Sequence, residues 1–184
     1  MKKLITAVSL VAASMAAHAQ LYGEVGYNAN VTNVKENGAS LESKPKALRA
    51  LLGYEFNENF ALEGIVGFGI SDSNVTYKEA GLSEKAGKAK LNNILGLYLT
   101  PKVQIINDLE GFLRLGVSSY KGSVTTDENS YSKTATSTSY GIGVRYMIDS
   151  QIYLNADYMS YGHMNVKDKT IQHKGFTIGI GYKF

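Results

Sequence analysis

Along most of this chain the residues alternate between an apolar set that carries no charge and a set made of charges and glycines. The C-terminal run is the plainest example. Phe176, Ile178, Ile180, Tyr182 and Phe184 share one parity, and Gly179, Gly181 and Lys183 share the other. A period of two belongs to a β-strand whose faces meet different surroundings. The apolar parity continues through Leu48, Leu52, Tyr54 and Phe56, then Phe60, Leu62, Val66, Phe68 and Ile70. It returns in Leu95, Leu97 and Leu99, in Leu113, Leu115 and Val117, in Tyr140, Ile142, Val144 and Tyr146, and in Ile152, Leu154, Ala156 and Tyr158.

Alternation alone suits a soluble barrel and a membrane barrel equally, so the composition of the second face decides. That face carries Glu24, Arg49, Glu55, Glu63, Arg114, Arg145, Asp157 and Lys183, together with Gly26, Gly53, Gly67, Gly69, Gly96, Gly116, Gly141, Gly143, Gly179 and Gly181. Glycine weakens a solvated strand through its entropy. In the crowded bore of a narrow closed barrel it instead makes room beside a long Arg or Glu. Charged and small together therefore read as interior, and the apolar face reads as lipid-facing. Placing Arg49 or Arg145 in lipid near the midplane would cost roughly 2–4 kcal/mol each. A one-residue register slip would do so to a whole strand.

Eight alternating segments are expected, at 20–29, 45–56, 60–70, 90–100, 110–120, 135–147, 151–162 and 173–184. Each suffices for the roughly 9–11 residues a tilted strand needs to cross a bilayer. Long polar connections at 30–44, 71–89, 121–134 and 163–172 alternate with short ones at 57–59 and 148–150, and 101–109 is an intermediate case in which Val103 and Ile105 can extend the fourth strand. Long loops on one side and short turns on the other fit an eight-stranded antiparallel up-and-down transmembrane β-barrel with four long extracellular loops. Tyr22, Tyr27, Tyr120, Tyr140, Tyr146, Tyr158, Tyr161 and Tyr182 lie near strand ends, where they suit interfacial girdles, with the inward alternative open for several.

Residues 1–19 read as a cleaved secretory signal, leaving a barrel domain of 20–184. Lys2 and Lys3 precede an apolar stretch, and Ala17-His18-Ala19 supplies the small-x-small cleavage site at Ala17 and Ala19. Losing the two lysines takes Lys plus Arg from 19 to 17 against 16 Asp plus Glu. The near-neutral remainder gives no electrostatic footprint for nucleic acid. No cysteine is present, so disulfides, thiolate metal sites and a lipobox anchor are excluded.

The opening Leu21-Tyr22-Gly23-Glu24-Val25-Gly26-Tyr27, the segment Tyr140-Gly141-Ile142-Gly143-Val144-Arg145-Tyr146 and the ending Gly179-Ile180-Gly181-Tyr182-Lys183-Phe184 resemble the OmpA/OmpX-type family of small outer-membrane barrels. The resemblance covers nearly the whole mature chain. It implies location in a Gram-negative outer membrane among lipid and lipopolysaccharide. Phe184, preceded by Tyr182, resembles the signal read by the outer-membrane assembly machinery.

Chemistry is sparse. The four interior acids and four interior bases read as a salt-bridge network filling the bore, with a gated polar passage as the alternative. Lipid A-modifying enzymes are similar small barrels. His163 and His173, with Ser160 and Asp168 nearby, form no pattern matching their catalytic sets, so rim histidines are expected and no catalytic residue is assigned. Two histidines without cysteine make a poor metal site, and no cofactor is expected. Lys78, Lys85, Lys88 and Lys90 are weak candidates for lipopolysaccharide phosphates, diluted by Asp72, Glu79 and Glu84, and Asp127-Glu128 lacks a calcium-loop pattern. The functional expectation is a monomer with a structural or surface-interaction role, in envelope integrity or adhesion to host or surface ligands through its loops. A narrow porin-like pore is the first alternative and a lipid A-modifying enzyme the second.

Overall fold

The computed structural model describes residues 20–36, 39–79, 82–125, 130–166 and 169–184, so Ala17 and Ala19 lie outside the described residues. Among the described residues nine strands follow one another: β1 (Gln20–Glu36), β2 (Ala39–Ser43), β3 (Lys46–Asn57), β4 (Phe60–Glu79), β5 (Leu82–Ile106), β6 (Leu109–Thr125), β7 (Ser130–Met147), β8 (Ile152–Val166) and β9 (Lys169–Lys183). Every pairing is antiparallel and β1 pairs with β9, from Tyr22↔Lys183 to Glu36↔Lys169, which closes the sheet into a barrel. Eight strands form its wall. The ninth, β2, is a short piece at the outer end that pairs with β1 and β4. Closure satisfies the backbone polar groups without water, the condition for crossing lipid.

The apolar parity faces out. Leu52, Ile142 and Ile178 are 61%, 61% and 59% exposed, whereas Arg114 and Arg145 are wholly buried. A folded protein tolerates that inversion only where lipid covers the apolar band. Tyr27, Tyr140, Tyr146, Tyr158 and Tyr182 are exposed among the candidates for the girdles. Tyr22 and Tyr161 instead fill the bore, because they share the parity of Glu24 and Asp157, and half-buried Tyr120 packs against the interior.

Two expectations about connections need correction. Much of 30–44, 71–89, 121–134 and 163–172 is strand rather than loop, since β1, β4, β5, β6 and β7 all run far past the apolar belt. Apolar alternation marks only the part of a strand that touches lipid. Threonine, valine and tyrosine above it, as in Val31-Thr32 and Val75-Thr76-Tyr77, continue the ladder in water. The 101–109 stretch is likewise no extended connection. β5 continues to Ile106, and Asn107-Asp108 turns directly into β6 at Leu109.

The short turns lie at the end that also holds Gln20 and Phe184, and side-chain caps set their geometry. Asn57 Oδ1 accepts the N–H groups of Asn59 (2.8 Å) and Phe60 (3.0 Å). Asp149 Oδ1 accepts those of Gln151 (2.8 Å) and Ile152 (2.7 Å). Such Asx caps add to the backbone closure of the turn, where the Ile148 N–H donates to the Ile152 carbonyl at 2.8 Å.

Candidate functional site

The bore is built in layers, and its glycines explain how eight strands hold so many large side chains. A Cβ at Gly53 would fall within the ring of Tyr22, and one at Gly181 within that of Tyr153. Gly96 seats Tyr98 and Gly143 seats Phe112 in the same way. The partners of these glycines are thus chiefly aromatic rings, rather than the Arg and Glu chains that sequence suggests.

The structure places Glu24, Arg49, Glu55, Glu63, Arg114, Arg145, Asp157 and Lys183 in one connected network inside the barrel. Glu63 is its hub, accepting from Arg114 Nε, an Arg145 guanidinium nitrogen and the Tyr22 hydroxyl. Arg49 grips Asp157 through two donors and reaches Glu24 at 2.8 Å. Arg114 also lies 2.8 Å from Asp157 Oδ2, the same oxygen that accepts from Asn155 at 2.7 Å. Arg145 sits over the rings of Phe112 and Tyr22, 4.6 and 4.7 Å from their centroids, so its planar faces are covered as well as its edges.

Two members were missed at the sequence level. Lys102 bonds Glu55 at 2.8 Å and Glu110 at 2.9 Å, and Glu110 in turn meets Arg145 at 3.2 Å. Lys183 joins the same group through Glu55 at 3.1 Å. Glu110 shares the parity of Arg114, which would have revealed it. Lys102 follows from Tyr98 and Thr100 only once the strand is extended through 101–106. Among the described residues the bore then holds five acids and five bases, in mutual contact from midbarrel to the short-turn end.

Among the described residues the outer half of the bore is lined by uncharged side chains. Leu51, Ile65, Ile94, Leu91 and Ala47 cover one side. Opposite them, Asn28 donates to Thr177 (2.7 Å), Tyr98 meets Ser139 (3.1 Å), and Ser118 donates to the Tyr161 carbonyl (2.7 Å). His173 closes the outer end, where its ring stacks on Tyr120 at 5.0 Å and lies 5.3 Å from Tyr161, while Nδ1 meets Thr32 Oγ1 at 2.7 Å. It is therefore a buried packing residue rather than a rim histidine, because the parity of Thr177 and Gly175 carries it inward. Its bond goes to Thr32, not to nearby Ser160. The side chain of His163, like Asp168, Lys78, Glu79, Glu84, Lys85, Lys88 and Asp127-Glu128, lies outside the described residues.

Charge is partitioned along the barrel. The outer segments 30–46, 71–93, 119–139 and 160–175 contain twelve lysines against eight acidic residues, while the three short turns carry only acids, Glu58, Asp108 and Asp149. Lys46, Lys90 and Lys121 are exposed just above the apolar belt.

Comparisons with known proteins agree on one architecture. A family model described as outer membrane protein beta-barrel domain matches residues 4–184. The attachment invasion locus protein of Yersinia enterocolitica is 25% identical over 190 residues, covering 100% of both chains. The crystal structure of Ail, the attachment invasion locus protein of Yersinia pestis, was solved in complex with the heparin analogue sucrose octasulfate. It superposes with a TM-score of 0.57 at 20% identity, covering 90% of this chain and 99% of that one. Neisserial surface protein A gives a TM-score of 0.62 at 15% identity, over 89% of this chain and 97% of that one.

Proposed function

The chain belongs to the outer membrane protein beta-barrel domain family, and from that membership we propose that it is a surface attachment protein whose barrel is an anchor rather than a channel. The observation that carries this reading is the state of the bore. Arg114, Arg145, Glu63, Tyr22, Tyr98, Tyr153, Tyr161 and His173 are each at most 1% exposed. Side chains lining an aqueous passage would be wet. A filled bore leaves the outer protrusions as the working surface, and the end-to-end relative is itself named for attachment.

The excess of lysine on that surface favours a polyanionic ligand such as a sulfated glycan, the class represented by the heparin analogue bound to Ail. The protein takes no part in catalysis on this reading. The remaining assignments belong with it: removal of a signal after Ala19, recognition of Tyr182 and Phe184 by the assembly machinery, a monomeric barrel, and lipopolysaccharide around the exposed lysines.

The test is attachment of cells displaying the protein to heparin-coated and chondroitin-free surfaces, across a salt series. Adhesion above that of cells lacking the protein, weakening as salt rises, is the expected result. Adhesion equal to the control at every salt concentration would overturn the reading, and a steady conductance from the refolded barrel would replace it with the pore.

A further inference from the structure

The sequence contains two Asn-x-Ser/Thr triplets, Asn30-Val31-Thr32 and Asn74-Val75-Thr76. In an exported chain such a triplet is the acceptor pattern for an N-linked glycan. An amide nitrogen is a poor nucleophile because it shares its lone pair with the carbonyl, and the hydroxyl two residues on helps a transferase to hold and orient it. Bacterial transferases of this class also prefer an acidic residue two positions before the asparagine. Asp72 supplies it for Asn74, whereas Asn28 stands in the equivalent place before Asn30.

The fold separates the two triplets further. Asn30 is buried in the bore, where its amide donates to the Asn28 carbonyl at 3.4 Å and Thr32 is engaged by His173. A sugar on Asn30 would have no room in a closed barrel. Asn74 lies on the outer face of β4. Ile70, Asp72 and Asn74 share the outward parity and are exposed, while Ser73 has the opposite parity and its hydroxyl accepts the Lys44 N–H at 3.1 Å. Ile70 is the last apolar residue on the outward parity, so Asn74 stands four residues past the lipid belt, roughly 13 Å along the strand. No hydrogen bond among the described residues occupies its amide.

We propose that Asn74 is a modification site, taking an N-linked oligosaccharide from a polyprenyl diphosphate-linked donor in the periplasm. Asn74 Nδ2 attacks the anomeric carbon of the donor sugar. The N–C bond forms, the bond from that carbon to the diphosphate oxygen breaks, the lipid diphosphate leaves, and one amide proton passes to solvent. Transfer precedes folding, because in the barrel the backbone of Asn74 is held in the β4–β5 ladder opposite Lys88 and an acceptor must leave the sheet to enter a transferase. The finished barrel tolerates the sugar because the Asn74 side chain meets neither the bore nor the lipid. The modification stands independently of the attachment reading and would place a glycan beside the surface which that reading uses.

The test is the intact mass of the heat-modifiable barrel extracted from the outer membrane of the bacterium that makes it, followed by peptide mapping. The mass should exceed that of the polypeptide by one glycan, carried on the peptide that holds Asn74. Asn74→Gln, Asp72→Asn and Thr76→Val should each remove the added mass, and Thr76→Ser, which keeps the hydroxyl, should retain it. A bare polypeptide mass, a glycan on any other residue, or added mass that survives Asn74→Gln would each overturn the proposal. A second measurement tests tolerance by the fold. In a host supplied with a bacterial oligosaccharyltransferase and its lipid-linked donor, the glycosylated chain should reach the outer membrane as a heat-modifiable band. A glycan confined to unfolded chain would overturn the proposal equally, since it would mean that the outer face of β4 does not accept the sugar.

Discussion

At the residue scale, burial makes Glu63 indispensable to its neighbours. It is completely buried and holds two guanidinium groups and a phenol together. Removing its charge leaves Arg114 with Asp157 and Arg145 with Glu110 but takes one carboxylate from both in a dry interior, where breaking a buried pair typically costs about 3–5 kcal/mol. Glu63→Gln should therefore lower the unfolding free energy of the refolded barrel by about that amount, seen as a lower urea midpoint of the heat-modifiable band across a urea series. Gly53 acts through the ring it seats. Gly53→Val must displace Tyr22, with an expected loss of about 1–3 kcal/mol. Because both changes disturb one contact, Gly53→Val combined with Tyr22→Ala should cost clearly less than the two single losses together. The charges of the bore were legible from parity wherever a strand also had an apolar face to count against. Lys102 becomes legible only when Val103 and Ile105 are taken as an extension of the fourth strand, which puts Lys102 on the inward parity.

At the element scale, each strand is defined by two faces and each short turn by one cap. Leu52 lies on the lipid face of β3, midway between Leu48 and Phe56. Leu52→Arg should cost roughly 2–4 kcal/mol of folding free energy in bilayers, and the same change at Phe56, nearer the interface, should cost less. Equal costs would mean that the belt is not centred on Leu52. Asp149 caps its turn as a carboxylate, and the Ile152 and Gln151 N–H groups, the former more strongly, hold its pKa below the usual 3.8 of aspartate. A lowered value stabilises the fold above the ordinary aspartate range, and that contribution disappears as pH falls through the folded-state value. Asp149→Ala should thus unfold at lower urea than the native chain at neutral pH, and the gap should close as the solution is acidified below about pH 4. The outer extensions of β4, β5, β6 and β7 were not legible as strands. In water both faces of such a ladder are polar, so the pattern that betrays a half-buried strand is absent.

At the scale of the whole molecule, a sealed lower barrel carries strands that run far past the apolar belt. The refolded protein should show no steady conductance in a planar bilayer, since its bore is filled by ion pairs and stacked rings. What the sequence by itself determined is the membrane-facing architecture: which parity meets lipid, that charges and glycines line the bore, and that eight strands cross. Those follow from burial energies acting on single residues, which leave a period in the chain. Only the tertiary structure decided which acid meets which base, that Gly53 and Gly181 seat rings, that His173 closes the outer end, and that among the described residues the β7–β8 ladder stops at Tyr140↔Ser160. These depend on which residues oppose one another across strands far apart in sequence. That register is a property of the closed barrel and leaves no periodic mark on any one strand.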